Sequence, residues 1–252
     1  MKDSIANFID RLADYEAPQV YNPWRDYDER YDIGPEAPAI RRRQLAAYLA
    51  PRLGRCPYVV VAEAIGYQGG RFTGIAITCE RMLLGEHPTI SPSMIFPGEA
   101  LRTSRSDSPF ITKATQRTKG FNEPTDTVVW NAIIENGLDP YRVLLWNIFP
   151  FHPHKSDEAL SNRTPTPTEL MDGWPYTKAL LELNGACRIL AVGQKAAQTL
   201  ASFGVEATPL RHPANGGATL YKAQFGDIVA TAAMHGDTWV PHKEDRYPIH
   251  EQ

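Results

Sequence analysis

Residues 58–78 read YVVVAEAIGYQGGRFTGIAIT, a short apolar run that breaks into a glycine-rich loop. Tyr58 to Val61 are β-branched or aromatic and too few for a helix, so they read as a buried parallel strand ending near Ala62. Beyond it Gly66, Gly69, Gly70 and Gly74 fall within nine positions, preceded by Glu63 and interleaved with Tyr67, Arg71, Phe72 and Thr73. Glycine lets backbone N–H groups approach a ligand closely, and ligands of open α/β sheets sit beyond the carboxyl ends of the strands. The loop is therefore the first candidate for an active site, against the competing reading of a glycine-rich turn that holds nothing. No Gly-Lys-Ser/Thr follows, and the G-x-G-x-x-G spacing is absent, so neither a Walker loop nor a dinucleotide site is indicated.

The same arrangement recurs downstream. Tyr141–Trp146 reads as a second buried strand that delivers Asn147 to its carboxyl end. Arg188–Val192 reads as a third, opening through Gly193 into the helix QKAAQTLASFG. Val205–Leu210 reads as a fourth, and at its end stands Arg211-His212-Pro213-Ala214-Asn215-Gly216-Gly217. Further helices are expected over 4–15, 39–53, 79–84, 125–136 and 174–184, the first presenting Ile5, Phe8, Ile9 and Leu12 on one face. This alternation implies a single-domain, three-layer α/β/α fold around a central, mainly parallel four-stranded sheet.

Residues 1–56 read as a helical and irregular extension packed on a domain spanning 57–252. Its proline-rich stretch 18–38 is expected to be an irregular arm pinned by Tyr21, Trp24 and Tyr27. Arg41–Arg43 open the next helix against its dipole, which fits either an outside partner or a solvated charged face. Segment 149–170 is polar and punctuated by prolines, and reads as a long loop. After Phe225, DIVATAAM reads as one more strand or helix before a polar, proline-containing end.

A net charge of -3, with 42% apolar and 22% charged residues, is that of an ordinary soluble protein. No run approaches the roughly 20 apolar residues of a membrane span, and the acidic, interrupted N-terminus is no signal peptide, so a cytoplasmic monomer is expected. Cys56, Cys79 and Cys187 form no C-x-x-C pair and read as reduced structural thiols. His152 and His154 have no acidic or thiol companion at a convincing spacing, so neither a metal nor a cofactor is expected. Within 101–120, Arg102, Arg105, Lys113, Arg117 and Lys119 face a single acid, Asp107, among serines and threonines that suit phosphate oxygens. A flat ring at Phe72, a donor–acceptor side chain at Asn147 and a donor at His212 suit a planar heterocycle, as an enzyme acting on a flipped nucleobase requires.

On these residues the chain resembles the uracil-DNA glycosylase superfamily. The similarity is to the branch whose first motif is Gly-Glu-Ala-Pro-Gly, here Ala62-Glu63-Ala64-Ile65-Gly66, followed by Gly70-Arg71-Phe72-Thr73-Gly74. Asn147 then matches the asparagine of the next core strand. The box Asn162-Arg163-Thr164-Pro165-Thr166-Pro167-Thr168-Glu169, the element Val192-Gly193-Gln194-Lys195-Ala196 and the terminal His212-Pro213-Ala214 complete the order over roughly residues 57–230.

The resemblance implies hydrolysis of the N-glycosidic bond of deoxyuridine in DNA, leaving an abasic site and free uracil. Phe72 would stack on the base, Asn147 would bond its imide edge, backbone amides near Glu63 and Ala64 would hold a carbonyl, and His212 would steady the departing anion. Gly66 replaces a tyrosine that blocks thymine's methyl group in other members, a task Tyr67 could take over. Arg105, Lys113, Arg163, Arg211 and Asn215 would face DNA, with Asn215, Leu220 or Tyr221 filling the gap in a duplex. Ala64 stands where some members carry a water-activating Asp or Asn, so water falls to Glu63 or Glu80. The four cluster-binding cysteines of this branch are absent, so no iron–sulfur cluster is expected. A glycosylase for another deaminated base, a non-catalytic damaged-DNA or abasic-site binder, and, less favoured, a small-molecule nucleosidase are the alternatives.

Overall fold

The computed structural model describes residues 2–234, and among them six strands form: β1 (Val20–Tyr21), β2 (Tyr58–Ala64), β3 (Val143–Phe149), β4 (His152–Pro153), β5 (Arg188–Val192) and β6 (Thr208–Leu210). The helices are α1 (Lys2–Ala13), α2 (Ala37–Leu49), α3 (Gly70–Thr73), α4 (Glu80–Leu83), α5 (Pro92–Ile95), α6 (Ala114–Lys119), α7 (Pro124–Glu135), α8 (Pro167–Asn184), α9 (Gln194–Ser202) and α10 (Ala218–Met234). DIVATAAM lies within α10, and the polar end after Met234 lies outside the described residues.

The expected four-stranded parallel sheet is present, in the order β3-β2-β5-β6, with α8 packed on β3 and α9 on β5. Val59, Val60 and Val61 are fully buried at its centre, because a strand covered by helices on both faces has no solvated side to alternate with. From β2 the chain passes to β3 on one side and later to β5 on the other, so the strand order reverses at β2. A crevice at the carboxyl end of β2 follows from that reversal.

Boundaries differ from the sequence reading where local chemistry overrides composition. β2 runs on to Ala64, and β3 carries Asn147 inside the strand, paired with Ala62, rather than beyond its end. The loop expected over 149–170 yields the start of α8: the Thr166 hydroxyl accepts the Glu169 amide at 3.2 Å while Glu169 accepts the Thr166 amide at 2.7 Å. This capping box, with Pro167 in the first turn where its missing N–H costs nothing, turns an apparent breaker into a helix start.

The N-terminal arm is fixed by buried charge, which corrects the reading of Arg41 as outward-facing. Arg41 and Asp32 are both fully buried and pair at 3.1 Å, and the Tyr21 hydroxyl donates to Asp32 at 2.5 Å. Arg71, equally buried, lies 4.0 Å from the centre of the Tyr21 ring and 3.7 Å from Asp32. Trp24 Nε1 donates to the Gly74 carbonyl at 3.1 Å, and Gln44 Nε2 to the Thr73 carbonyl at 3.0 Å. The arm thus grips the glycine loop from behind. Tyr27, expected to pin it, is 44% exposed.

Candidate active site

A cavity of ≈ 200 Å³ opens at the carboxyl ends of β2, β3 and β6. It is smaller than the roughly 300–1,000 Å³ of drug-sized sites and suits one small heterocycle. Ala62, Glu63, Ala64 and Gly66 line it from β2 and its loop, Asn147 from β3, and His212 from the residues after β6. A larger hollow of ≈ 640 Å³ lies at the amino ends of β5 and β6, around Arg188 and Thr208, away from these groups.

Asn147 is 2% exposed, and its Oδ1 accepts no hydrogen bond. A buried unsatisfied acceptor costs about 1–3 kcal/mol, which a ligand N–H donor would recover. The strand behind it is held by the Thr177 hydroxyl, which lies 2.9 Å from the Ile148 carbonyl and 3.2 Å from that of Asn147.

His212 Nδ1 accepts the Ala214 amide at 3.1 Å, which leaves the proton of the neutral ring on Nε2. Burial, and then the Arg211 charge, lower its pKa, so at neutral pH the ring is an uncharged donor. A Cβ on Gly193 would lie 3.1 Å from that of His212, and the Gly193 φ of +87° also excludes most side chains. Glu63 is half-buried, with burial raising its pKa and Lys195, 3.9 Å away, drawing it back.

The opposite wall carries no signal in the sequence. Glu123, Thr125 and Asp126, at the start of α7, line the cavity together with Ile77 and Asn162. Asp126 is buried with Oδ2 unpartnered, and a Cβ on Gly69 would come within 2.8 Å of that oxygen. Acids flanking Pro124 satisfy a helix N-terminus, so Glu-Pro-Thr-Asp reads as capping and nothing in its spacing points to a pocket. Ile77 adopts φ +50°, unusual for a β-branched residue, with its carbonyl accepting Trp130 Nε1 at 2.9 Å.

Two of the expected base-binding residues are elsewhere. Phe72 does not line the cavity: it is fully buried, stacked on Phe121 at 4.4 Å, with the Arg71 guanidinium 4.5 Å from its ring centre. The short α3 turns its ring into a small separate core with Ile111 and Phe121. Tyr67 packs against that core as well, and the space beside Gly66 is taken by Asn162 and Glu123 Oε2 instead. Glu80, offered for water placement, is spent on structure: its carboxylate accepts the amides of Thr103 and Ser104 at 3.1 and 2.9 Å and the Ser104 hydroxyl at 2.5 Å.

The basic stretch is largely engaged with its own chain. Arg102 donates to the Ser104 and Gln116 carbonyls, Arg105 pairs with Asp107 at 2.8 Å, Arg117 bonds the Ile111 carbonyl and Lys119 pairs with Glu86 at 3.3 Å. Lys113 is exposed. Arg163 lines the cavity but forms a two-pronged pair with Glu169 at 2.6 and 2.7 Å. Arg211 and Asn215 are exposed beside His212, Leu220 is 51% exposed, and Tyr221 is fully buried, which removes Tyr221 as a wedge. Among the described residues, no cluster of three or more His, Cys, Asp or Glu could hold a metal.

The model of the Uracil DNA glycosylase superfamily matches residues 80–232. No curated protein matches the chain. Among solved structures, the crystal structure of wild-type Pedobacter heparinus SMUG2 superposes with a TM-score of 0.61 at 13% identity, covering 94% of this chain and 98% of that one. At that identity the likeness is one of fold.

Proposed function

Because the chain belongs to the uracil DNA glycosylase superfamily, we propose that it excises uracil from DNA by extruding the nucleotide into the cavity at the ends of β2, β3 and β6. The observation that carries the reading is the juxtaposition of the orphaned Asn147 Oδ1 with the neutral His212 donor in one cavity of single-base size. Uracil supplies an imide N–H for Asn147 and a carbonyl for His212. As the glycosidic bond lengthens, charge grows on that carbonyl, and a fixed donor contributes most where charge develops. Glu63, half-buried with a raised pKa, is the remaining group of the first motif able to orient water, since Ala64 cannot.

The acting unit in this reading is the domain over 57–252, with 1–56 as an extension, working as a monomer on uracil-containing DNA. Oligonucleotides carrying one uracil, thymine, hypoxanthine or xanthine, single- or double-stranded, test the proposal when treated with protein and then hot alkali. Strand scission at uracil alone supports it. Scission at a deaminated purine instead favours a glycosylase for another base, a reading to which the carboxyl wall of Glu123 and Asp126 lends weight. Binding without scission favours a non-catalytic damage binder.

A further inference from the structure

Asp126 is the most deeply buried ionisable group of the cavity wall, and one of its carboxyl oxygens has no partner. Its neighbour Glu123 lines the same wall and is only weakly satisfied, with the Thr125 amide 3.5 Å from Oε1. Two carboxyl groups one helical turn apart, lining one small cavity, repel each other when both are charged, and burial adds to that cost beyond what the helix N-terminus offsets. Arg163, the guanidinium of the lining, is already paired with Glu169. A Cβ on Gly69 would fall 2.8 Å from Asp126 Oδ2, so the glycine leaves that buried, unpartnered oxygen its room in the cavity wall.

We propose that Glu123 and Asp126 hold one proton between them and form the acid of the site, with Asp126 donating to a heteroatom of the extruded base as the glycosidic bond breaks. The inference rests on the glycosylase reading and deepens it. The bond between C1′ and the base nitrogen breaks with its electron pair on the base. The carboxyl proton passes to the base, water supplies the oxygen that bonds C1′, and the proton released by water restores the pair. Nothing else is consumed.

Burial raises the Asp126 carboxyl well above the usual carboxylate range, and the Glu123 charge raises it further. Glu123 is itself raised by burial, opposed by the Thr125 amide. The groups facing the pair are Glu63 and His212 across the cavity, Arg163, Tyr67 beside Glu123, and Cys79 beside Asp126. His212 is shifted down, so its titration belongs to the acid side, whereas Cys79 is pushed up to about 12 and Tyr67 is also raised. Burial and then the Glu123 charge raise Tyr67, so an alkaline limb reports the pair when it both responds to Glu123 and disappears in D126N.

Single-turnover excision of uracil, measured against pH for the wild type, D126N, D126A and E123Q, tests this. The wild type loses rate as pH rises and the shared proton is lost. D126N, whose amide can donate a hydrogen bond but cannot give up a proton, falls by roughly 100-fold at neutral pH and loses the alkaline limb, and D126A falls at least as far. E123Q removes the neighbouring charge, so Asp126 ionises more readily and the limb moves to lower pH. A wild-type limb preserved in D126N, or D126A within about threefold of wild type at every pH, overturns the inference while leaving the glycosylase reading intact. Wild-type protein that leaves uracil-DNA intact overturns both.

Discussion

His212 and Phe72 show how differently two residues of matching motifs can be used. His212 reaches the cavity because Gly193 beneath it has no side chain and because the Ala214 amide fixes its tautomer. Replacing His212 by Ala should lower single-turnover excision by about 100-fold or more, the cost of one aimed donor, while DNA binding by gel shift persists. Phe72, stacked on Phe121 away from the cavity, should behave as a core residue. Phe72→Ala is expected to cost about 3–5 kcal/mol of stability in urea unfolding, where Phe72→Leu keeps the protein folded and its apparent substrate affinity unchanged. A selective loss of affinity in Phe72→Leu would return the ring to the binding site. The sequence marked Glu63, Ala64, Gly66, Asn147 and His212, all of which line the cavity, because strand ends can be located from apolar runs. It did not mark Glu123, Asp126 or Ile77, because their surroundings come from the packing of α7 and the loop before α4 across the cavity.

At the scale of elements, the sheet was readable because buried parallel strands leave continuous β-branched runs, as in Val59–Val61. The start of α8 was obscured by prolines, although Thr166-x-x-Glu169 carries the capping-box signal. Thr166→Ala should destabilise the protein by about 1 kcal/mol, lowering the thermal midpoint by a few degrees. The same box holds Glu169 against Arg163, so the substitution also loosens one edge of the cavity. A thermal midpoint equal to that of wild type would mean that α8 is fixed by its packing on β3 alone.

For the molecule as a whole, the buried cluster of Arg41, Asp32, Tyr21 and Arg71 ties residues 1–56 to the glycine loop. Removing one member leaves charge uncompensated, so Arg41→Met should cost roughly 3–5 kcal/mol in chemical denaturation. His152 adds a pH dependence. Burial, and then the Arg71 charge, hold its pKa down at about 3, against 6.5 for an ordinary histidine. The unfolded chain therefore takes up a proton that the folded chain refuses, and the stability contributed above about pH 6.5 is lost as pH falls towards 3. Urea midpoints across that range should fall less steeply in His152→Gln than in wild type, once the carboxylates common to both are subtracted.

In the proposed function, the cavity beyond β2, β3 and β6 removes uracil from DNA. That role is tested most directly by quantifying free uracil released from a uracil-bearing oligonucleotide by the wild type, Asn147→Ala and His212→Ala, with folding of each checked by circular dichroism. Stoichiometric release by wild type is expected, with release slowed by about 100-fold or more in both variants. Release undiminished in either folded variant would place the chemistry elsewhere, and intact uracil-DNA in the presence of wild type would contradict the assignment itself.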